Sequence, residues 1–109
     1  MNDAQFEACY TEAVTMNDKD AYLSDMALSS IWNDAEDADV PQERLDDLGR
    51  IWDVAHMSIS DIRKSCGMTQ AAFSQRCLIP KRTIENWESN VNTPPMYVKL
   101  LIAKALNLI

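Results

Sequence analysis

The chain has 109 residues, 47% of them hydrophobic and 25% charged, which is enough for one compact domain, or a small domain with an appendage, around one modest core. Two glycines, four prolines and few β-branched runs argue for helices rather than hairpins, and no stretch approaches the ~20 apolar residues of a membrane span. The net charge of −7 is unevenly spread: residues 1–57 hold 14 acidic and 3 basic side chains (net −11), whereas residues 58–109 hold 3 acidic and 7 basic (net +4), an asymmetry that suggests an anion-binding half joined to a differently employed acidic half.

Helical spacing begins at once. Phe6, Cys9, Tyr10, Ala13 and Val14 form one apolar stripe, which predicts a helix over about residues 3–15. Asn17 or Asp18 is placed to cap a second helix carrying Tyr22, Leu23, Met26, Ile31 and Trp32. The acidic stretch NDAEDADVP, residues 33–41, reads as a loop. A third helix is expected to start near Pro41, a residue favoured in a first turn, and to carry Leu45, Leu48, Ile51, Trp52 and Ala55. These stripes read as core.

Punctuation is denser in the second half. SISD at 58–61 has the layout of a capping box, with Ile59, Ile62, Cys66 and Met68 facing inward and Gly67 ending the helix. Thr69 is a good N-cap for QAAFSQRC, which turns Ala72, Phe73 and Cys77 inward. A tight turn near Leu78 and Ile79 leads to Pro80 and a short helix, KRTIENWE. The loop NVNT follows. A last helix then starts behind Pro94 and Pro95, with Val98, Leu101, Ile102, Ala105 and Leu106 on its apolar face.

At ~100° per residue, Ile84 and Trp87 fall on one side of KRTIENWE with Glu88 beside them. Arg82, Asn86 and Ser89 fall on the other side, Glu85 lies at an edge, and Lys81 sits at the N-terminal lip. Arg offers two donors to guanine O6 and N7, and Asn matches adenine N6 and N7. A helix anchored by Ile84 and Trp87 therefore presents side chains suited to base edges.

Other chemistries find little support. Cys9, Cys66 and Cys77 are odd in number and widely spaced, so neither a disulfide framework nor a zinc site is expected. The N-terminus MNDAQFEACYTEA lacks a signal-peptide layout, and the reducing cytoplasm is the expected location. His56 is alone, and no nucleophile–base pair, glycine-rich phosphate loop or paired carboxylates stand out. An enzyme is not expected, nor a metal or cofactor.

The ordered set Arg63, Gly67-Met68-Thr69-Gln70, Phe73-Ser74, Ile79, Thr83-Ile84 and Trp87-Glu88, followed by a proline-started helix ending IAKAL, resembles the helix-turn-helix family of phage repressors and Xre/Cro-type regulators. The resemblance covers about residues 59–108. It implies a five-helix lambda-repressor-like bundle at 58–109; with the helical stripes of residues 1–57 read as an acidic N-terminal extension, the whole chain is expected to be all-α. It further implies a sequence-specific regulator of transcription, a repressor, that binds double-stranded DNA as a homodimer. In that family Thr69 and Gln70 would bond phosphate, while Lys81, Arg82 and Asn86 would lie at base-reading positions. Arg63 and Glu88 match an internal ion pair, and Arg76 is a further candidate for phosphate. Two departures from the family stand out: Leu78 occupies the turn where glycine is usual, and Ser89 and Asn90 follow the glutamate where glycine is common.

The resemblance does not reach residues 1–57. That half is expected to serve in dimerisation, to shield Arg82, or to bind a basic protein partner. In the last case the chain would be an antitoxin-like interaction module rather than a DNA regulator.

Overall fold

A computed structural model describes residues 1–34 and 39–109. Among them are seven α-helices and one 3-10 turn, with no strand. The expected loop at 33–41 lies partly outside the described residues. The chain divides into two compact units, Met1–Ala55 with Ile109, and His56–Leu108.

The first unit holds α1 (Asp3–Thr15), α2 (Lys19–Ala27) and α3 (Gln42–Ala55), and α1 and α2 both rest on α3. Asn2 opens α1 with a capping box, its side-chain Oδ1 accepting from the Gln5 backbone amide at 2.8 Å while the Gln5 side-chain oxygen accepts from the Asn2 amide. Asp18 caps α2 through the Ala21 amide at 3.1 Å. Cys9, Tyr10, Ala13, Tyr22, Leu48 and Ile51 make the buried centre. The Tyr22 hydroxyl is satisfied inside it by donating to the Cys9 carbonyl at 2.8 Å. Burial pushes the Cys9 thiol up to about 11, so it stays protonated near neutral pH.

α2 is shorter than its stripe suggests, because Ile31 and Trp32 belong to a separate turn, Ser30–Trp32, started by Ser29. The Trp32 indole donates back to the Met26 carbonyl at 2.6 Å, which also accepts from the Ser29 amide at 3.2 Å. The Arg44 guanidinium lies 4.4 Å from the Trp32 ring centre and pairs with Asp34, which holds the Asp34 carboxyl below its usual range.

The second unit holds α4 (Ile59–Ser65), α5 (Gln70–Cys77), α6 (Lys81–Glu88) and α7 (Met96–Ala105), one helix fewer than the five expected. Only seven residues separate α6 from α7, and Pro94 and Pro95 bias the backbone before them away from helix. Ser58 and Asp61 form a reciprocal capping box at the start of α4. Gly67, at φ +68°, takes the left-handed turn that ends it, and Thr69 caps α5 through the Ala72 amide at 3.1 Å.

Ile59, Ile62, Phe73, Ile84, Ile102 and Ala103 are buried. Ala72, expected inward, is exposed, and Cys77 is only half-buried. The buried face of α7 is rotated from the expected one: Leu101 is 59% exposed, Ala105 is exposed, and Ala103 is covered instead. Lys99 explains the rotation. Its aliphatic stem lies on the covered side while its ammonium donates to the Met57 carbonyl at 2.8 Å, and this desolvation lowers its pKa.

Candidate nucleic-acid interface

Both α4 and α5 rest on α6, whose fully buried residue is Ile84. Trp87 is half-buried beside it. On the far side Arg82 is exposed, Asn86 is half-exposed, and neither side chain makes a hydrogen bond or ion pair among the described residues. Lys81 is exposed and lies 3.8 Å from Glu85. The apolar anchor fixes the helix, so what its outer side presents is set by the scaffold.

Glu88 and Arg63 secure that anchor from the polar side. The Arg63 guanidinium donates from Nε at 2.9 Å and from Nη2 at 2.8 Å to the two Glu88 oxygens, and from Nη1 to the Met68 carbonyl at 2.9 Å. The side chains are 14% and 10% exposed. Arg63 holds the Glu88 carboxyl below its usual range against the opposing effect of burial, and Gln70 and Ser60 lend smaller hydrogen-bonding help. One bidentate bond thus ties α4, the loop before α5, and α6 together.

The turn between α5 and α6 is built without glycine. Leu78 takes the left-handed conformation at φ +56°, its side chain 90% exposed. Ser74 holds the turn from both sides: its hydroxyl donates to the Ile79 carbonyl at 2.5 Å, and its own carbonyl accepts from the Ile79 amide at 3.1 Å. After α6, Asn90 takes a second left-handed position at φ +61°. There Asn tolerates the conformation better than most residues because its short side chain bonds locally.

Helix termini separate the elements electrically. α1, α2, α3 and α4 each carry an acid in the first turn; α5, α6 and α7 carry none. α6 instead sets Lys81 and Arg82 at its own positive end, where the helix dipole disfavours cations. Among the described residues Arg82 has no internal partner that compensates for this placement.

Residues 59–108 match the family model described as Helix-turn-helix. Over these residues the chain is similar to the phage-repressor-like helix-turn-helix family. No curated protein and no solved structure matches the chain. The matched residues take in α4, α5, α6 and α7, and the family is one of DNA-binding regulators.

Thr69 is exposed, its oxygen occupied by the cap while its hydroxyl proton stays available. Gln70 is half-buried and neighbours Glu88. Arg76 donates from Nη2 to the Ala105 carbonyl at 2.7 Å, closing the C-terminal end of α7, so it is partly engaged within the domain. That engagement spans 29 residues and has no local signal in the sequence. The Lys81–Glu85 pair does have one, in its i, i+4 spacing. No cluster of residues suited to a metal ion occurs among the described residues, and none of their helices is long and apolar enough to cross a membrane.

Proposed function

We propose that the chain is a sequence-specific DNA-binding repressor that lays α6 in the major groove and acts as a homodimer in the cytoplasm. The observation carrying this reading is the unpaired Arg82 guanidinium, held outward at the N-terminal end of α6 by the buried Ile84 on the opposite side. In the proposed complex Lys81, Arg82 and Asn86 meet base edges, with Arg82 suited to guanine and Asn86 to adenine. The amides at the start of α5, the Thr69 hydroxyl, the Gln70 amide and the remaining Arg76 donors meet phosphate and fix register. Paired half-sites would lie about 34–36 Å apart, one helical turn. Residues 1–57 would form the dimerisation or partner-binding half, and with a net charge of −11 they must lie away from the phosphates.

Selecting bound sites from a random DNA pool tests the proposal, followed by gel shifts on the selected site. Arg82→Ala should cost roughly 1–3 kcal/mol and relax preference at one base pair, and Asn86→Ala should do so at another. Affinity should fall as salt rises, because phosphate contacts release counterions. If both variants bind as the parent does, or salt has no effect, the reading fails and an interaction module with a basic protein partner takes its place.

A further inference from the structure

Three acidic side chains occur in residues 58–109. Asp61 is engaged in the capping box of α4, and Glu88 is closed off by Arg63. Glu85 alone remains, at the exposed edge of α6, its side chain 48% exposed, with Oε1 3.8 Å from the Lys81 ammonium, itself 56% exposed. On a helix that enters the groove of a polyanion, a carboxylate is repelled unless it meets a hydrogen-bond donor. The major groove offers few: cytosine N4 and adenine N6.

We infer that Lys81 and Glu85 act as one reading unit for a single G·C base pair, with Lys81 over guanine and Glu85 over cytosine. The inference rests on the DNA-binding reading above. Guanine O6 and cytosine N4 are joined by a Watson–Crick N–H···O bond, so they lie about 2.9 Å apart. Side-chain groups 3.8 Å apart are commensurate with that spacing. The ammonium donates to O6 and the adjacent N7, and the carboxylate accepts the N4 hydrogen that pairing leaves free. Each charge keeps the other beside it as it leaves water, which limits the desolvation cost.

The alternatives fit less well. Over an A·T pair the carboxylate at adenine N6 would sit next to the N7 lone pair, and the ammonium at thymine O4 would sit next to the methyl group. With the G·C pair reversed, each charge would face its own kind. The unit therefore distinguishes both composition and orientation at one position, a discrimination that Lys81 alone, as a rotatable point charge, lacks.

The test is site selection from a random duplex pool with the full chain and its Glu85→Ala, Glu85→Gln and Lys81→Ala variants, followed by competition with each single-base variant of the parent site. All three side-chain changes are at exposed positions, and thermal unfolding checks that each variant folds. The parent should enrich one oriented G·C pair that both Glu85→Ala and Lys81→Ala lose, with discrimination there falling roughly 5- to 150-fold and other positions kept. Glu85→Gln should weaken the preference at that same position and no other. If Glu85→Ala keeps every base preference, even while binding more tightly, Glu85 is only a repelling charge and the inference is overturned while DNA recognition stands. A parent chain that enriches no sequence would remove both.

Discussion

The two halves of the molecule use charge in mirror-image ways. In the first unit the basic side chains are the minority, and all three are paired: Lys19 with Asp53, Arg44 with Asp34, and Arg50 with Asp47. In the second unit the acids are the minority, and all three are engaged: Asp61 in a cap, Glu85 with Lys81, and Glu88 with Arg63. In each half the scarcer sign is consumed internally, so the surplus sign outnumbers the counter-charges beside it. The surpluses are therefore not accidents of composition that neighbouring counter-charges cancel. A −11 surface and a +4 surface persist on one chain, and they will respond to salt in opposite ways toward a polyanion.

The halves also differ in how deeply their pairs are set, and that difference is open to experiment. Arg63→Ala should have the largest effect, about 2 kcal/mol, because it strands a carboxylate that is only 10% exposed and frees the Met68 carbonyl as well. Denaturant unfolding at pH 7 measures it. The loss should be pH-dependent. Glu88 has a lowered pKa in the folded chain, so its contribution is present above its ordinary value of 4.5 and disappears as pH falls through the lower folded value. The gap between parent and variant should narrow over that acid window, leaving the part owed to the Met68 carbonyl. A gap that stays constant down to pH 2 would mean that the arginine acts through packing rather than charge.

Local signals make much of the scaffold legible in the sequence. Asp18, Ser58 and Thr69 begin helices because a short oxygen-bearing side chain satisfies an open amide, and that chemistry is written within three residues. Asn2 and Gln5 carry the same signal, although the apolar stripe draws attention away from it. The division of α6 into a buried Ile84 side and an exposed Arg82 side follows from helical periodicity alone. What is not legible depends on partners far along the chain. Trp52 bonds the Met16 carbonyl, Arg76 the Ala105 carbonyl, and Lys99 the Met57 carbonyl, across 36, 29 and 42 residues. Lys99 also shows why hydropathy misplaces the face of α7: a lysine counts as polar by type, yet most of its length is hydrocarbon.

Leu78 sharpens the comparison from inside the second unit, since it is strained and exposed at once. A left-handed backbone costs an L-residue roughly 1–2 kcal/mol, and a side chain 90% exposed recovers almost nothing by burial. Leu78→Gly should raise stability by roughly 0.5–1 kcal/mol, the relief of strain being partly offset by the greater freedom of glycine in the unfolded chain. Thermal unfolding of the variant reads this directly. A destabilised variant would show that the leucine side chain supports the turn by contacts that exposure alone does not reveal.

The smallest expected effect tests the first unit. Lys19 pairs with Asp53 at 3.0 Å and lies 5.9 Å from the Trp52 ring centre, but the two charged side chains are 39% and 53% exposed. Water screens such a pair, and ordering a lysine offsets part of the attraction, so Lys19→Ala should cost only about 0.5 kcal/mol. The cost should shrink further in 0.5 M salt, whereas the Arg63 effect, set in a less exposed site, should keep most of its size. Should Lys19→Ala instead destabilise as much as Arg63→Ala, the acidic half would depend on its few cations to offset self-repulsion among 14 carboxylates. Its three pairs would then be a condition for folding rather than a surface by-product, and the symmetry between the halves would extend from charge to stability.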